Sequence, residues 1–370
     1  MKNGQGGRWI LLVVGVATFA LIGAVQAVYG PALPVLARET GSTTAAASLI
    51  FSVHWLGCAG GVATMFALGP RMTPRVVLAL LAAGAALLGA GLGWGMMLAG
   101  AVLAGFGQGC ATVLFNPRLL SAFGPRGPAM LSLINAAFGA GSIVAPLIFV
   151  LLDGAYGPLF LALALAYLPV LALAQDRGAQ AAAAAAPRGF RPDWTILAFG
   201  ACAIGFEASL IGLGPAALVR AGLDEGTAAG AQSAFFMAFL AARLGLTALA
   251  HRVPAFPLLA VSLGGVALTM AGAVILPPQA LFIASGAAAA LLFPGYFVEA
   301  ANRMGGDPRV SSVIVAAGMV GGITLPFALA RLVDGFGPRG FFLLLALLAG
   351  VTAVAALAHM ALRRADRKGA

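Results

Sequence analysis

Glu207 and Glu299 are acidic side chains that lie within long apolar runs of the sequence. No Lys or Arg stands within seven positions of Glu207, so its carboxyl group has no charged partner on its own segment. An ionised carboxylate in an apolar medium is costly, and such acids usually face a polar path for ions or substrates. Glu207 is therefore a candidate proton carrier. The alternative is a protonated side chain that only hydrogen-bonds to a neighbouring helix.

Glu299 stands close to the end of its apolar run, four positions before Arg303. This spacing allows an ion pair along one helix face. We predict that Glu299 and Arg303, together with Arg75 and Arg243, form gating contacts or ion pairs at the cytoplasmic ends of the helices.

Neutral polar residues recur at helical spacing in several apolar runs. Gln108, Thr112 and Asn116 are four positions apart and share one face of a helix. Amides and hydroxyls beside aromatic rings suit a solute that carries hydroxyl groups, although each could instead bond to another helix. His54 could also exchange protons, since histidine titrates near neutral pH. The predicted cavity residues are Gln26, Tyr29, His54, Gln108, Thr112, Asn116, Asn135, Phe138 and Tyr296.

The amino-acid composition indicates that most of the protein surface faces the lipid bilayer and not water. The chain is 61% hydrophobic and only 9% charged, with a mean hydropathy of +1.02. So few charges cannot cover a water-facing surface, and crossing a bilayer takes about 20 apolar residues. We therefore predict an all-α integral membrane protein with twelve transmembrane helices. The predicted spans are 9–30, 44–68, 76–93, 96–116, 128–151, 157–175, 194–215, 227–249, 256–276, 280–301, 310–331 and 339–362.

The distribution of positive charge predicts the orientation. With the N-terminus in the cytoplasm, all but four of the 21 Lys and Arg residues fall on the cytoplasmic side. The exceptions are Arg38, Arg220, Arg331 and Arg339. This bias follows the positive-inside rule, so both termini are predicted to be cytoplasmic in a multi-pass protein of the cell membrane. The basic residues are scattered singly, which argues against binding of nucleic acid.

Internal similarity divides the chain into two halves. Residues 136–146 resemble residues 316–326 at a constant offset of 180, and 30–32 resemble 214–216. A polar, alanine-rich segment separates the halves. We predict a six-helix bundle at 1–175, a cytoplasmic linker at 176–193 and a second six-helix bundle at 194–370. Parallel repeats of this kind place the substrate near the membrane midplane between halves that rock about it.

The small residues predict packing rather than chemistry. Glycines four positions apart, as in Gly57/Gly61 and Gly105/Gly109, let helix backbones approach closely. The three cysteines are dispersed in apolar runs, so neither a disulfide framework nor a metal site is predicted. No ATP-binding loop of the Gly-x-x-x-x-Gly-Lys type occurs, and no cofactor is expected.

A set of short motifs resembles the fucose:proton symporter branch of the major facilitator superfamily. The motifs are Asn116-Pro117, Asn135-Ala136-Ala137-Phe138-Gly139-Ala140-Gly141 with Pro146, Gly205-Phe206-Glu207-Ala208-Ser209 before Pro215, Ala242-Arg243-Leu244, Phe293-Pro294-Gly295, and Gly306-Asp307 through Ser311-Ser312 to Gly321-Gly322 and Pro326. The resemblance covers the first eleven spans. It implies alternating access and a sugar-like substrate. It also implies that Glu207 corresponds to the glutamate that the fucose symporters have in the seventh span.

The same resemblance shows two departures. Acidic positions that the fucose symporters use in the first and fourth spans fall on Gly30 and Thr112 here. Either Glu207 alone couples transport to protons, or the chain is a uniporter or belongs to another branch.

The sequence thus predicts a secondary transporter for a small polar solute, with protons as candidate coupling ions and lipids as its surroundings. It is expected to act as a monomer. The first alternative is an exporter of amphipathic or drug-like compounds, since Phe and Met are abundant. An intramembrane enzyme is a remote alternative, because the Gly-x-Ser-x-Gly and His-Glu-x-x-His motifs do not occur.

Overall fold

The computed structural model describes residues 2–369 except for 69–71, 176–190, 250–252 and 306–307. The described part contains fourteen α-helices, two short 3₁₀ turns and no β-strand. The helices are α1 (Lys2–Glu39), α2 (Thr44–Ala47), α3 (Leu49–Leu68), α4 (Pro74–Gly89), α5 (Trp94–Phe123), α6 (Gly127–Leu151), α7 (Tyr156–Leu173), α8 (Trp194–Arg220), α9 (Glu225–Leu249), α10 (Ala255–Ile275), α11 (Pro278–Ala289), α12 (Leu292–Met304), α13 (Pro308–Leu332) and α14 (Gly340–Gly369).

Every predicted span coincides with one of these helices or with a consecutive pair. In the described residues, eleven segments are long and apolar enough to cross a membrane, and α4 is a shorter apolar helix of 16 residues. The second predicted span comprises α2 and α3, and the tenth comprises α11 and α12. The prediction of an all-helical membrane protein is confirmed.

Several helices extend beyond their predicted ends. α5 continues through Pro117 to Phe123, and α1 continues through Pro31 and Pro34 to Glu39. Hydropathy locates only the apolar stretch that crosses the membrane, approximately, and a helix can continue past that stretch.

The chain forms two compact units, Met1–Ala184 and Ala185–Ala370. In the first unit α1 packs on α6, α3 on α5, and α4 on both α5 and α7. In the second unit α8 packs on α13, α9 on α11, and α10 on both α11 and α14. The pairings correspond element by element, as expected for two halves that share one architecture. Most of the predicted linker lies outside the described residues.

Glycines let α3 and α5 touch through their backbones. A Cβ atom added to Gly105 would lie 1.9 Å from the carbonyl oxygen of His54, and one on Gly109 would lie 2.1 Å from that of Cys58. A Cβ atom added to Gly57 or to Gly61 would lie 2.1 Å from a backbone carbonyl oxygen of α5. This contact brings the side chains of His54 and Gln108 together across the two helices.

Candidate functional site

Glu207 lies in the middle of α8, and its partner comes from the next helix. The guanidinium of Arg243 on α9 places Nη2 3.9 Å from Oε1 of Glu207. The side chain of Glu207 is 16% exposed, and its Oε2 atom has no hydrogen-bond partner among the described residues. The carboxyl group therefore combines a long ion pair with one buried oxygen that has no hydrogen-bond partner among the described residues.

Arg243 also binds a helix end. Its Nε donates a 3.2 Å hydrogen bond to the carbonyl oxygen of Ala290, and its guanidinium carbon lies 4.5 Å from the centre of the Phe239 ring. Ala290 follows the last residue of α11, at the break that separates α11 from α12. One arginine thus joins α8, α9 and the interrupted tenth span.

This junction can hold Glu207 in either charge state. When the carboxylate is ionised, Arg243 balances its charge at ion-pair distance. When Glu207 is protonated, the guanidinium keeps the Ala290 carbonyl and the aromatic face, so the cation is not left unsolvated. Such an arrangement lets a carboxyl group in the membrane gain and lose a proton while the arginine keeps polar and aromatic contacts.

The first unit contains a chain of hydrogen bonds between neutral side chains. The hydroxyl of Tyr29 lies 3.1 Å from Nδ1 of His54, and Nε2 of His54 lies 3.0 Å from Oε1 of Gln108. With Gln108 accepting at Oε1, His54 carries its proton on Nε2 and accepts from Tyr29. The hydroxyl of Tyr167 lines the same small space as His54 and Gln108 and lacks a partner among the described residues.

The other predicted cavity residues of the first unit occupy different environments. Thr112 and Asn135 are exposed, and each bonds to a backbone carbonyl one turn earlier in its own helix. Oδ1 of Asn116 is buried without a hydrogen-bond partner in the described part of the chain. Gln26 is buried and Phe138 is partly buried. The stripe Gln108, Thr112 and Asn116 therefore does not present three equivalent side chains.

The side chain of Tyr296 packs inside the second unit. It is fully buried, and its hydroxyl donates a 2.7 Å hydrogen bond to the carbonyl oxygen of Ile314. A Cβ atom on Gly200 would lie 2.0 Å from its ring, so the ring occupies space that this glycine leaves open. The hydroxyl has its partner in the protein already.

Glu299 and Arg303 form the ion pair that their spacing predicts, at 2.6 Å between Oε1 and Nε. Nη1 of Arg303 also lies 3.3 Å from Oδ2 of Asp193 and 3.3 Å from Nε2 of His359. The Arg303 side chain is only 9% exposed. The cluster ties α12 to α14 and to the start of α8.

The arginines predicted to form gating contacts or cytoplasmic ion pairs have different partners. Arg243 pairs with Glu207 rather than with Glu299, and Arg75 donates from Nε to the Ala174 carbonyl oxygen at 3.0 Å. Sequence reasoning missed Asp193 and His359 as members of the Arg303 cluster. A carboxylate directly before the apolar run of α8 is a signal that could have identified Asp193, since such residues cap helices.

The sequence of this chain matches the model of a known protein family. The family model described as Major Facilitator Superfamily matches residues 15–326. The chain belongs to the Major Facilitator Superfamily. A search of curated proteins found no match. The resemblance to the superfamily seen in the motifs is confirmed.

Solved structures with the same fold cover nearly the whole chain. A nucleoside transporter, NupG, has a TM-score of 0.71 at 15% identity, covering 96% of this chain and 98% of its own. A D-xylose-proton symporter has a TM-score of 0.74 at 12% identity, covering 94% and 97%. FucP, described as a superfamily transporter in the outward conformation, has a TM-score of 0.62 at 18% identity, covering 93% and 97%.

Proposed function

We propose that this superfamily member is a secondary transporter that couples a small, neutral, polar solute to protons through Glu207. The observation that carries the proposal is the carboxyl group of Glu207 in mid-helix, which has one oxygen without a hydrogen-bond partner among the described residues and an arginine that it shares with a backbone carbonyl. Acidic residues within membrane spans are rare, and they commonly belong to ion or substrate pathways, proton relays among them.

The solute class follows from the neutral polar groups and from the neighbouring structures. Gln26, Gln108 and Asn116 supply amides without added charge, which suits a ligand with hydroxyl groups. Two of the similar structures are described as a nucleoside transporter and a D-xylose-proton symporter. Sugars and nucleosides are therefore the solutes to test first. We also propose that transport proceeds by alternating access, with residues 1–175 and 194–370 as the two six-helix bundles.

Orientation and assembly are part of the same proposal. The charge bias supports cytoplasmic termini and a cytoplasmic linker at 176–193, and a monomer suffices for alternating access. Reporter fusions after Lys368 test the orientation, because a reporter active only in the cytoplasm should be active there.

The deciding experiment is uptake into proteoliposomes that contain the purified protein. Radiolabelled D-xylose and uridine are offered with and without an inwardly directed proton gradient. Uptake of a transported solute should rise with the gradient in the wild type and lose this response in Glu207→Gln. Asp153→Asn is the matched control, because it removes an exposed carboxylate at a left-handed backbone position that asparagine tolerates.

Two outcomes would contradict the proposal. A gradient response that persists in Glu207→Gln would exclude Glu207 as the coupling group. In a parallel thermal-shift screen, stabilisation by amphipathic drugs but by neither sugars nor nucleosides would instead favour export of amphipathic compounds.

A further inference from the structure

We propose that Pro294 is a positioning residue for proton coupling. Pro294 leaves the backbone carbonyl of Ala290 without its helical donor, and this carbonyl holds Arg243 away from Glu207. Oε2 of Glu207 therefore stays without a partner and can accept a proton. The inference rests on the proposed function of Glu207. It assigns a cause to the long ion pair and to the break in the tenth span.

One contribution to the break between α11 and α12 comes from Pro294. In a continuous helix the carbonyl of Ala290 would accept from the backbone N–H four residues later, at position 294. Proline has no N–H, and its ring clashes with that carbonyl. α11 accordingly ends at Ala289 and α12 begins at Leu292, while the Leu291 carbonyl still accepts from the N–H of Gly295 at 3.1 Å.

The carbonyl of Ala290 needs another donor because this residue is fully buried, where an unpaired backbone group is costly. Arg243 is that donor, through Nε at 3.2 Å, and the Phe239 ring lies 4.5 Å from the same guanidinium. Fixed in this way, Nη2 stops 3.9 Å from Oε1 of Glu207. Charge-assisted hydrogen bonds are about 2.8 Å long, so the pair attracts electrostatically without a hydrogen bond. Oε2 of Glu207 is left unpartnered.

Pro326 in the same unit offers a matched comparison. It also lies inside a predicted membrane span, but α13 runs unbroken from Pro308 to Leu332 around it. Its position removes the same backbone donor, four residues after Gly322. A proline alone therefore does not produce the junction, which needs an arginine to satisfy the carbonyl and a carboxylate beside that arginine.

The test replaces Pro294 with alanine in the full-length protein. The alanine N–H can satisfy the Ala290 carbonyl, so Arg243 is released to hydrogen-bond Glu207 and stabilise its ionised form. The pH of half-maximal proton-driven uptake should then fall by about one unit, a tenfold increase in the proton concentration required. Pro326→Ala should leave this pH unchanged. Pro294→Ser supplies the same N–H and replaces the alanine variant if that variant does not fold.

An infrared titration separates this inference from the proposed function. The protonated carboxyl band of Glu207 is identified by its loss in Glu207→Gln, and its midpoint is followed in each variant without any substrate. A midpoint that moves to lower pH in Pro294→Ala supports the inference even if uptake proves independent of protons. An unchanged midpoint in a folded Pro294→Ala protein, with coupling through Glu207 intact, would overturn the inference and leave the proposed function standing.

Discussion

Gly105→Ala should destabilise the first unit by separating α3 from α5. A Cβ atom at this position would lie 1.9 Å from the carbonyl oxygen of His54, and real Cβ atoms essentially never come within 3.0 Å of such an atom. Since the obstructing atom is backbone, the two helices must move apart by about 1 Å, the difference between these distances.

The cost can be worked from the contacts that this movement breaks. The bond between Nε2 of His54 and Oε1 of Gln108 is 3.0 Å long and joins the same two helices. Lengthened by about 1 Å it ceases to be a hydrogen bond, which costs about 1 kcal/mol. Overpacking of the glycine contact adds about 1–3 kcal/mol. The total of about 2–4 kcal/mol corresponds to a fall in Tm of roughly 5–15 °C for a unit of this size.

The assay is thermal unfolding of the purified protein followed by tryptophan fluorescence. Gly60→Ala is the matched control on the opposing helix, because its added Cβ would meet only the edge of the Phe106 ring at 3.7 Å. That variant should unfold within about 2 °C of the wild type. Equal unfolding temperatures for Gly105→Ala and Gly60→Ala would refute the claim that backbone contact sets the distance between α3 and α5.

Two further substitutions test the second unit. Partial burial opposes ionisation of Asp193, but hydrogen bonds from the Ile196 N–H and Arg303 outweigh it and hold the pKa of this carboxyl below its ordinary value of 3.8. The ionised Asp193 carboxylate therefore adds to the free energy of unfolding at neutral pH, and this contribution is lost as the pH falls through the lowered pKa. The difference in free energy of unfolding between wild type and Asp193→Asn should accordingly shrink below about pH 4. Tyr296→Phe removes the 2.7 Å hydrogen bond to Ile314 and should cost about 1 kcal/mol in chemical unfolding while uptake continues. Loss of uptake at unchanged stability would instead make Tyr296 a substrate ligand.

The helices could be predicted because the membrane imposes one rule on every span. Each crossing needs a long apolar run, and the runs in the sequence coincide with the helices found, including α4 despite its 16 residues. The superfamily could be recognised because short motifs recur in order along the chain. Neither result required knowledge of any side-chain contact.

The partner of Glu207 could not be predicted because sequence separation hides contacts between helices. Arg243 stands 36 positions further along the chain, and the sequence predicts for it a gating contact or a cytoplasmic ion pair. Pro294 deprives the Ala290 carbonyl of its backbone donor, but Pro326 does the same to Gly322 within an unbroken helix, so a proline in the sequence does not identify an arginine partner. The role of Tyr296 could not be predicted for a different reason: a tyrosine in a membrane span can equally line a cavity or donate a hydrogen bond to a backbone carbonyl.

The most direct test of the central claim is the movement of protons with the solute itself. Proteoliposomes in weakly buffered medium receive D-xylose or uridine, whichever the protein transports, with no imposed gradient, and the external pH is recorded. The account predicts alkalinisation of the medium by the wild type on solute addition and none by Glu207→Gln at comparable solute exchange. Solute entry by the wild type without any change in external pH would contradict it.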